Sequence, residues 1–232
     1  VVEMLSARPD SEDVALASPF SQMRPSSLED LWPNVLLGDD GERLKLVRAA
    51  PAGDLDGDGH NDLLIVAVGE KSDHVLGLSY EKRMPPLTRV ERPCPDPIFA
   101  DEPPLGYATL GGIDLNADGC DDMVLGSPSS FREGQVVAAP GAADEATKQK
   151  KWPAFHGAYW HAELPGNVAM FGVSLAAFDD LDGDGIPDVL IGSSDWFWSG
   201  TVYRGNSLRL LSGRTGKDLW VVTEGHYQEL GG

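Results

Sequence analysis

The sequence predicts an all-β protein built from a four-stranded unit that recurs about three times. Three observations predict it. Glycine (27) and proline (17) punctuate the 232 residues often enough to favour short strands and turns over long helices. An acidic nonapeptide occurs three times, as DLDGDGHND (54–62), DLNADGCDD (114–122) and DLDGDGIPD (180–188), with starts 60 and 66 residues apart. Each copy runs into a short apolar segment, LLIVAV, MVLG or VLIG, that reads as a buried strand.

Taken in order, residues 1–30 are polar, contain Pro and Ser and show no period, so a linker or poorly ordered segment is expected there. The repeat region follows over 31–232, with units at about 44–93, 105–156 and 171–223. Nine residues ahead of the first loop aspartate stand Leu105-Gly106 in copy two and Phe171-Gly172 in copy three, whereas Lys45-Leu46 breaks the pattern in copy one. After the loops come Gly126-Ser127-Pro128 and Gly192-Ser193-Ser194. A Gly-led strand, GQVVAA, begins at Gly134, and LRLLSGRTGKDLWVV reads as a hairpin turning over Ser212 to Gly216. Each unit is therefore strand, acidic loop, strand, long loop, strand, turn, strand. The tripeptide DLW at 218–220 begins a fourth strand, and its second occurrence at 30–32 suggests that the chain opens inside a preceding unit.

The nonapeptides fit D-x-[DN]-x-D-G-x-x-D, and the spacing carries the chemistry. Calcium takes six to eight hard oxygen ligands, and side chains at positions one, three and five converge only if the backbone wraps the ion. Those positions are Asp54, Asp56 and Asp58; Asp114, Asn116 and Asp118; and Asp180, Asp182 and Asp184. Position six is Gly in every copy, as a sharp turn requires. Position seven (His60, Cys120, Ile186) would offer its carbonyl, and position nine (Asp62, Asp122, Asp188) would close the shell. About three ions are expected. An EF-hand is disfavoured, because its position-twelve Glu is here Ile65, Leu125 or Ile191. The competing reading is three solvated acidic turns without an ion. Copy two is the weakest, since Asn116 removes a charge and Ala117 replaces Gly.

Acidic residues number 37 against 18 Lys plus Arg, a net charge of -19 that repels nucleic acid and anionic membranes and suits cations, basic partners or neutral ligands. Eleven loop aspartates supply more than half of that excess (four, three beside Asn116, and four). No apolar run approaches the ~20 residues of a membrane span. The opening VVEMLSARPDSEDVALAS lacks the features of a signal peptide, and a processed or excised piece is expected. Cys94 and Cys120 could pair in an oxidising compartment, but their spacing does not show it.

The stretch FGVSLAAFDDLDGDGIPDVLIGS resembles an FG-GAP (VCBS-like) repeat, the blade unit of integrin α-subunit propellers and many exported proteins. The resemblance spans about 44–225 and is strongest in copy three. It implies a β-propeller of four-stranded blades, about three of them here, as a partial propeller or one completed by another copy or chain. It also implies calcium between first and second strands, an extracellular, periplasmic or cell-surface setting, and a role in adhesion or assembly. A protein or glycan ligand is then expected on the face opposite the calcium loops. Aromatics that the resemblance assigns to that face are Trp152, Tyr159 and Trp160 in one segment and Trp196, Phe197 and Trp198 in another. They either bind a partner or fill gaps between blades. Catalytic signatures are absent: there is no H-E-x-x-H, C-x-x-C or G-x-S-x-G, and SGRTGK lacks the first Gly of a phosphate loop. The alternative is a polysaccharide-binding or polysaccharide-lyase propeller, for which His156 or His161 beside Lys150 or Lys151 is the one candidate cluster.

Overall fold

In the computed structural model, residues 36–38, 41–79, 86–93, 103–129, 134–141, 159–163, 170–194 and 206–223 are described. They form twelve strands in three four-stranded sheets, and no helix occurs among them. The first sheet holds β1 (Lys45–Gly53), β2 (Asp62–Val68), β3 (Ser72–Leu78) and β4 (Thr88–Pro93). The second holds β5 (Ala108–Ile113), β6 (Asp122–Ser127), β7 (Gln135–Ala139) and β8 (Trp160–Glu163). The third holds β9 (Ser174–Phe178), β10 (Asp188–Ser193), β11 (Ser207–Leu211) and β12 (Asp218–Thr223). Each sheet is an antiparallel meander in chain order, and the acidic loop joins its first strand to its second. The β10–β11 and β11–β12 pairs include the hairpin read from the sequence, with Ser212 N–H donating to Lys217 O at 2.9 Å across the turn.

The sheets stack through their first strands: β1 lies beside β5, and β5 beside β9. These are β-propeller blades, as the sequence predicted. One core fills the junction of blades one and two, with Ala52, Leu55, Val66, Val75, Leu105 and Met123 among its buried members. A second fills the junction of blades two and three and includes Leu115, Val136, Trp160, Phe171, Val189 and Ile191. A third covers the far face of blade one, where Ile65, Ala67, Leu76 and Leu78 pack beneath Leu44 and Leu36.

The Leu/Phe-Gly pair explains itself in this packing. Leu105 and Phe171, both 0 % exposed, project into the junction with the preceding blade. Gly106 and Gly172 follow at φ +80° and +82°, a left-handed turn that brings each next to the preceding blade's side chains. Blade one follows the same rule with a displaced residue. A register shift between Leu46 and Arg48 adds one residue to β1, so Leu44, 5 % exposed, takes the plug position one place earlier than the spacing suggests.

Candidate metal centre

Each acidic loop folds around its own first aspartate. Asp54 accepts the N–H groups of Asp58 (3.0 Å) and Gly59 (2.8 Å). Asp114 accepts those of Ala117 (2.7 Å) and Gly119 (3.0 Å), and Asp180 those of Gly183 (2.7 Å) and Gly185 (2.8 Å). The fifth-position carboxylates accept the position-seven N–H: Asp58 from His60 (2.8 Å), Asp118 from Cys120 (2.8 Å) and Asp184 from Ile186 (2.9 Å). Gly59, Gly119 and Gly185 sit at φ +87°, +87° and +86°, so the chain reverses where a side chain would be strained. The Gly185 N–H, followed by those of Gly183 and Asp184, holds the Asp180 carboxyl below the usual carboxylate range.

This winding brings the alternate aspartates together. Carboxylate oxygens of Asp54, Asp56 and Asp58 lie within 4.8 Å of one another, and so do those of Asp180, Asp182 and Asp184. Ligands on opposite sides of a calcium ion at 2.3–2.6 Å are themselves roughly 4.6–5.2 Å apart. The donor set is oxygen only. Size and chemistry therefore fit a hard cation such as calcium. Loop two differs. The Asn116 amide nitrogen donates to Asp118 Oδ2 (2.8 Å) and bonds the Tyr159 hydroxyl, while its Oδ1 accepts the Asp118 N–H (2.8 Å). An amide N–H here meets the carboxylate that a cation would otherwise meet.

Position nine is buried: Asp62 is 5 %, Asp122 1 % and Asp188 0 % exposed. Its Oδ2 accepts the N–H of loop position two, Leu55 (2.9 Å), Leu115 (2.8 Å) or Leu181 (2.8 Å). In loops two and three, Oδ1 also reaches the turn leaving the third strand, at Gly141 N (3.1 Å) and Gly213 N (3.2 Å). The residue therefore braces the loop against the blade, and it is not among the carboxylates that converge in loops one and three. Burial pushes the Asp122 carboxyl up to about 7, against the lowering hydrogen bonds from Leu115, Gly141 and Tyr159. Burial, then the Asp122 charge, likewise raises the Tyr159 phenol. At position seven, His60 is exposed and Ile186 is 1 % exposed within the core between blades two and three. Cys120 is a free thiol, raised by burial and then by Asp118, and Cys94 lies outside the described residues.

Two long-range contacts of the acidic loops were not foreseen. Asp121, at position eight of loop two, accepts the Asp54 N–H (2.8 Å) and returns its own N–H to Asp54 O (2.7 Å). Loop two is thus stitched to the first ligand of loop one. Its sequence signal was the unexplained Asp121-Asp122 doublet. Within blade three, Arg214 on the β11–β12 turn pairs with Asp184 Oδ2 at 2.9 Å and donates to Asp184 O at 3.1 Å.

The aromatic segments separate. In a meander the connection from third to fourth strand returns to the end that holds the acidic loop. Tyr159 and Trp160 stand at that end, which corrects their expected place on the opposite face: the Tyr159 hydroxyl donates to Asp122 Oδ1 at 3.1 Å. Trp160, 5 % exposed, fills the junction of blades two and three, and its indole N–H donates to Gly213 O at 2.7 Å. Trp152, Trp196, Phe197 and Trp198 lie outside the described residues, as do Lys150, Lys151 and His156. His161 sits on β8, 3.6 Å from Glu163.

At the end opposite the acidic loops is a cleft of ≈ 830 Å³, lined in part by Arg48 of β1, Tyr107 and Thr109 near the start of β5, and Ser174 and Leu175 of β9. Arg48 donates to Tyr107 O, and the Tyr107 side chain is exposed. No helix among the described residues is long and apolar enough to cross a membrane.

No family model matches the chain. Among curated proteins it is similar to integrin alpha pat-2 of Caenorhabditis elegans, 34 % identical over 93 residues, 38 % of this chain and 7 % of that protein. It is similar to human integrin alpha-7, 32 % identical over 113 residues, 46 % and 9 % of the two chains. Integrin alpha ina-1 of C. elegans is 28 % identical over 156 residues, 60 % and 14 % of the two. The chain thus spans less than a sixth of the length of these relatives. Among solved structures, rhamnogalacturonan lyase YesW superposes with TM-score 0.47 at 14 % identity, over 81 % of this chain and 36 % of that one. A Bacillus licheniformis rhamnogalacturonan lyase gives 0.49 at 13 % identity, over 85 % and 38 %. Over the part of the chain that matches, it is similar to integrin alpha subunits, consistent with the FG-GAP resemblance carried by its acidic repeats.

Proposed function

We propose that this chain is a calcium-stabilised section of an extracellular or cell-surface propeller that works by binding, as an adhesion or assembly module. The observation that carries the cation is the convergence of three carboxylates to within 4.8 Å in loops one and three, from a nonapeptide written three times. Calcium would be held by Asp54, Asp56, Asp58 and Asp62, by Asp114, Asn116, Asp118 and Asp122, and by Asp180, Asp182, Asp184 and Asp188. The position-seven carbonyls of His60, Cys120 and Ile186 would complete the shells. Bound calcium supplies charge neutralisation and a fixed turn. The aspartates orient themselves on backbone N–H groups, and position nine transmits that order to the blade. The partner, protein or glycan, would dock on the opposite end, where the cleft offers a cation at Arg48 and an exposed ring at Tyr107.

Thermal melting of chelator-stripped protein against added calcium tests the cation. Each site should contribute about 1.4 kcal/mol at tenfold excess over a Kd of order 10⁻⁴ M. A melt that does not move, with no calcium retained, leaves three solvated turns. Glycan and protein arrays then separate the binding readings: Arg48→Ala should abolish capture without moving the melt. Turnover of an acidic polysaccharide would instead establish the lyase alternative.

A further inference from the structure

Asp121 stands between two residues assigned to the ion of loop two, Cys120 at position seven and Asp122 at position nine, yet its own hydrogen bonds go to loop one. Its Oδ2 accepts the Asp54 N–H at 2.8 Å, and its N–H donates to Asp54 O at 2.7 Å. One residue of loop two therefore holds both main-chain groups of the first ligand of loop one. The Asp54 carboxylate, which gathers the Asp58 and Gly59 N–H groups, hangs from that clasp. The fit leaves little room to slide. A Cβ at Gly53 would fall 2.2 Å from Asp121 Oδ2, one at Gly57 3.3 Å from Cys120 Sγ, and one at Gly141, on the turn leaving β7, 2.0 Å from Asp121 O. The same turn supports Asp122 through the Gly141 N–H at 3.1 Å.

Loop three has no such seat on loop two. Its position eight is Pro187, which lacks both the N–H and the carboxylate that the clasp uses. Pro187 O packs instead on the β11–β12 turn of its own blade, where a Cβ at Gly213 would fall 1.9 Å from it. We infer that loops one and two take up cations as a linked pair through Asp121, while loop three binds independently. The inference rests on the calcium reading of the loops. An ion in loop two fixes the residues on either side of Asp121, and with them the clasp that sets the main chain of Asp54. Loop one then has less freedom to lose when its own ion enters. Linkage makes the effect mutual, so an ion in loop one tightens loop two by the same factor. Repulsion between the two ions opposes it, which puts the expected factor near the low end for such couplings, about fivefold.

Calcium titration followed by NMR tests the linkage, because each loop carries its own reporter. The position-six N–H of Gly59, Gly119 or Gly185 donates to the first aspartate of its own loop, at 2.8, 3.0 and 2.8 Å. Asp118→Ala, which disables loop two, should weaken the binding read at Gly59 about fivefold. Asp58→Ala should do the same at Gly119, and neither should move the titration of Gly185. In an Asp121→Ala background both cross-effects should vanish. Asp121→Asn keeps the main-chain pair and an acceptor oxygen and should retain them, which separates the clasp from a general weakening of the fold. Cross-effects that persist in Asp121→Ala, or are absent with Asp121 in place, overturn the inference and leave the cation reading standing. So does a Gly119 that never titrates while Gly59 and Gly185 do. If calcium moves none of the three glycines, the cation reading falls and the inference falls with it.

Discussion

At Asp184 one carboxylate has two suitors. Its Oδ2 pairs with Arg214 at 2.9 Å, on the oxygen that faces away from the Ile186 N–H. The pair is partly exposed, so its energy is at the surface scale of about 0.2–1 kcal/mol. A dication entering loop three has to share that oxygen with a guanidinium. Arg214→Gln should therefore raise calcium affinity at loop three about two- to fivefold, the size such a pair energy permits, and calorimetric titration of single-loop variants would read it. Loop two has the converse problem, since the Asn116 amide already satisfies Asp118. Asn116→Asp should convert it into a site resembling its neighbours, seen as an added binding step in the same titration. Ala117 occupies a left-handed conformation, φ 61°, at the position where the other loops carry Gly57 and Gly183. The strain of about 1–2 kcal/mol for an L-residue there exceeds the extra entropy glycine loses on folding. Ala117→Gly should thus stabilise the chain by about 0.5 kcal/mol in urea denaturation, the difference between those two terms.

At the scale of the element, the acidic loop is part of the blade junction as much as of an ion site. Its second residue, Leu55 or Leu115, is buried in the core shared with the following blade, while its ninth ties it to its own. Phe171→Ala removes a fully buried ring from the junction of blades two and three and should cost about 3–5 kcal/mol, measured as a fall in denaturation midpoint. Asp121→Ala removes the acceptor of the Asp54 N–H and should cost about 1 kcal/mol. It should also weaken binding in loop one, although Asp121 touches no ion position there. How much of this was legible follows from which residues act locally. The loops, the strands after them and the β11–β12 hairpin were readable because period and turn chemistry are properties of a short window. Leu44 was missed because a bulge moves the plug by one residue without altering the loop spacing. Tyr159 and Trp160 were assigned to the wrong end because a segment's length does not reveal which end of the meander it returns to. Asp121 and Arg214 act across blades or across the blade, and nothing in their own neighbourhood announces a partner 67 or 30 residues away.

For the whole molecule, the net charge of -19 is concentrated where cations would relieve it. The eleven loop aspartates sit at one end of three adjacent blades, so their mutual repulsion opposes the stacking that buries Leu55 and Leu115. Calcium and monovalent salt should both relieve it, but differently. Salt at about 0.15 M screens over ≈ 8 Å, whereas a bound dication neutralises its own loop at any ionic strength. The calcium-dependent rise in melting temperature should therefore be largest at low salt and shrink, without vanishing, as sodium chloride is added. A rise that disappears in salt would mean diffuse attraction in place of coordination.

Leu55 and Leu115 belong by spelling to one repeat and by burial to the next. The unit that is copied in the genetic text and the unit that excludes water are out of phase by one junction. Cutting the chain at the textual boundaries, after Pro93 or before Leu105, would divide a hydrophobic unit in two. A fragment meant to fold should therefore end within a blade rather than between blades.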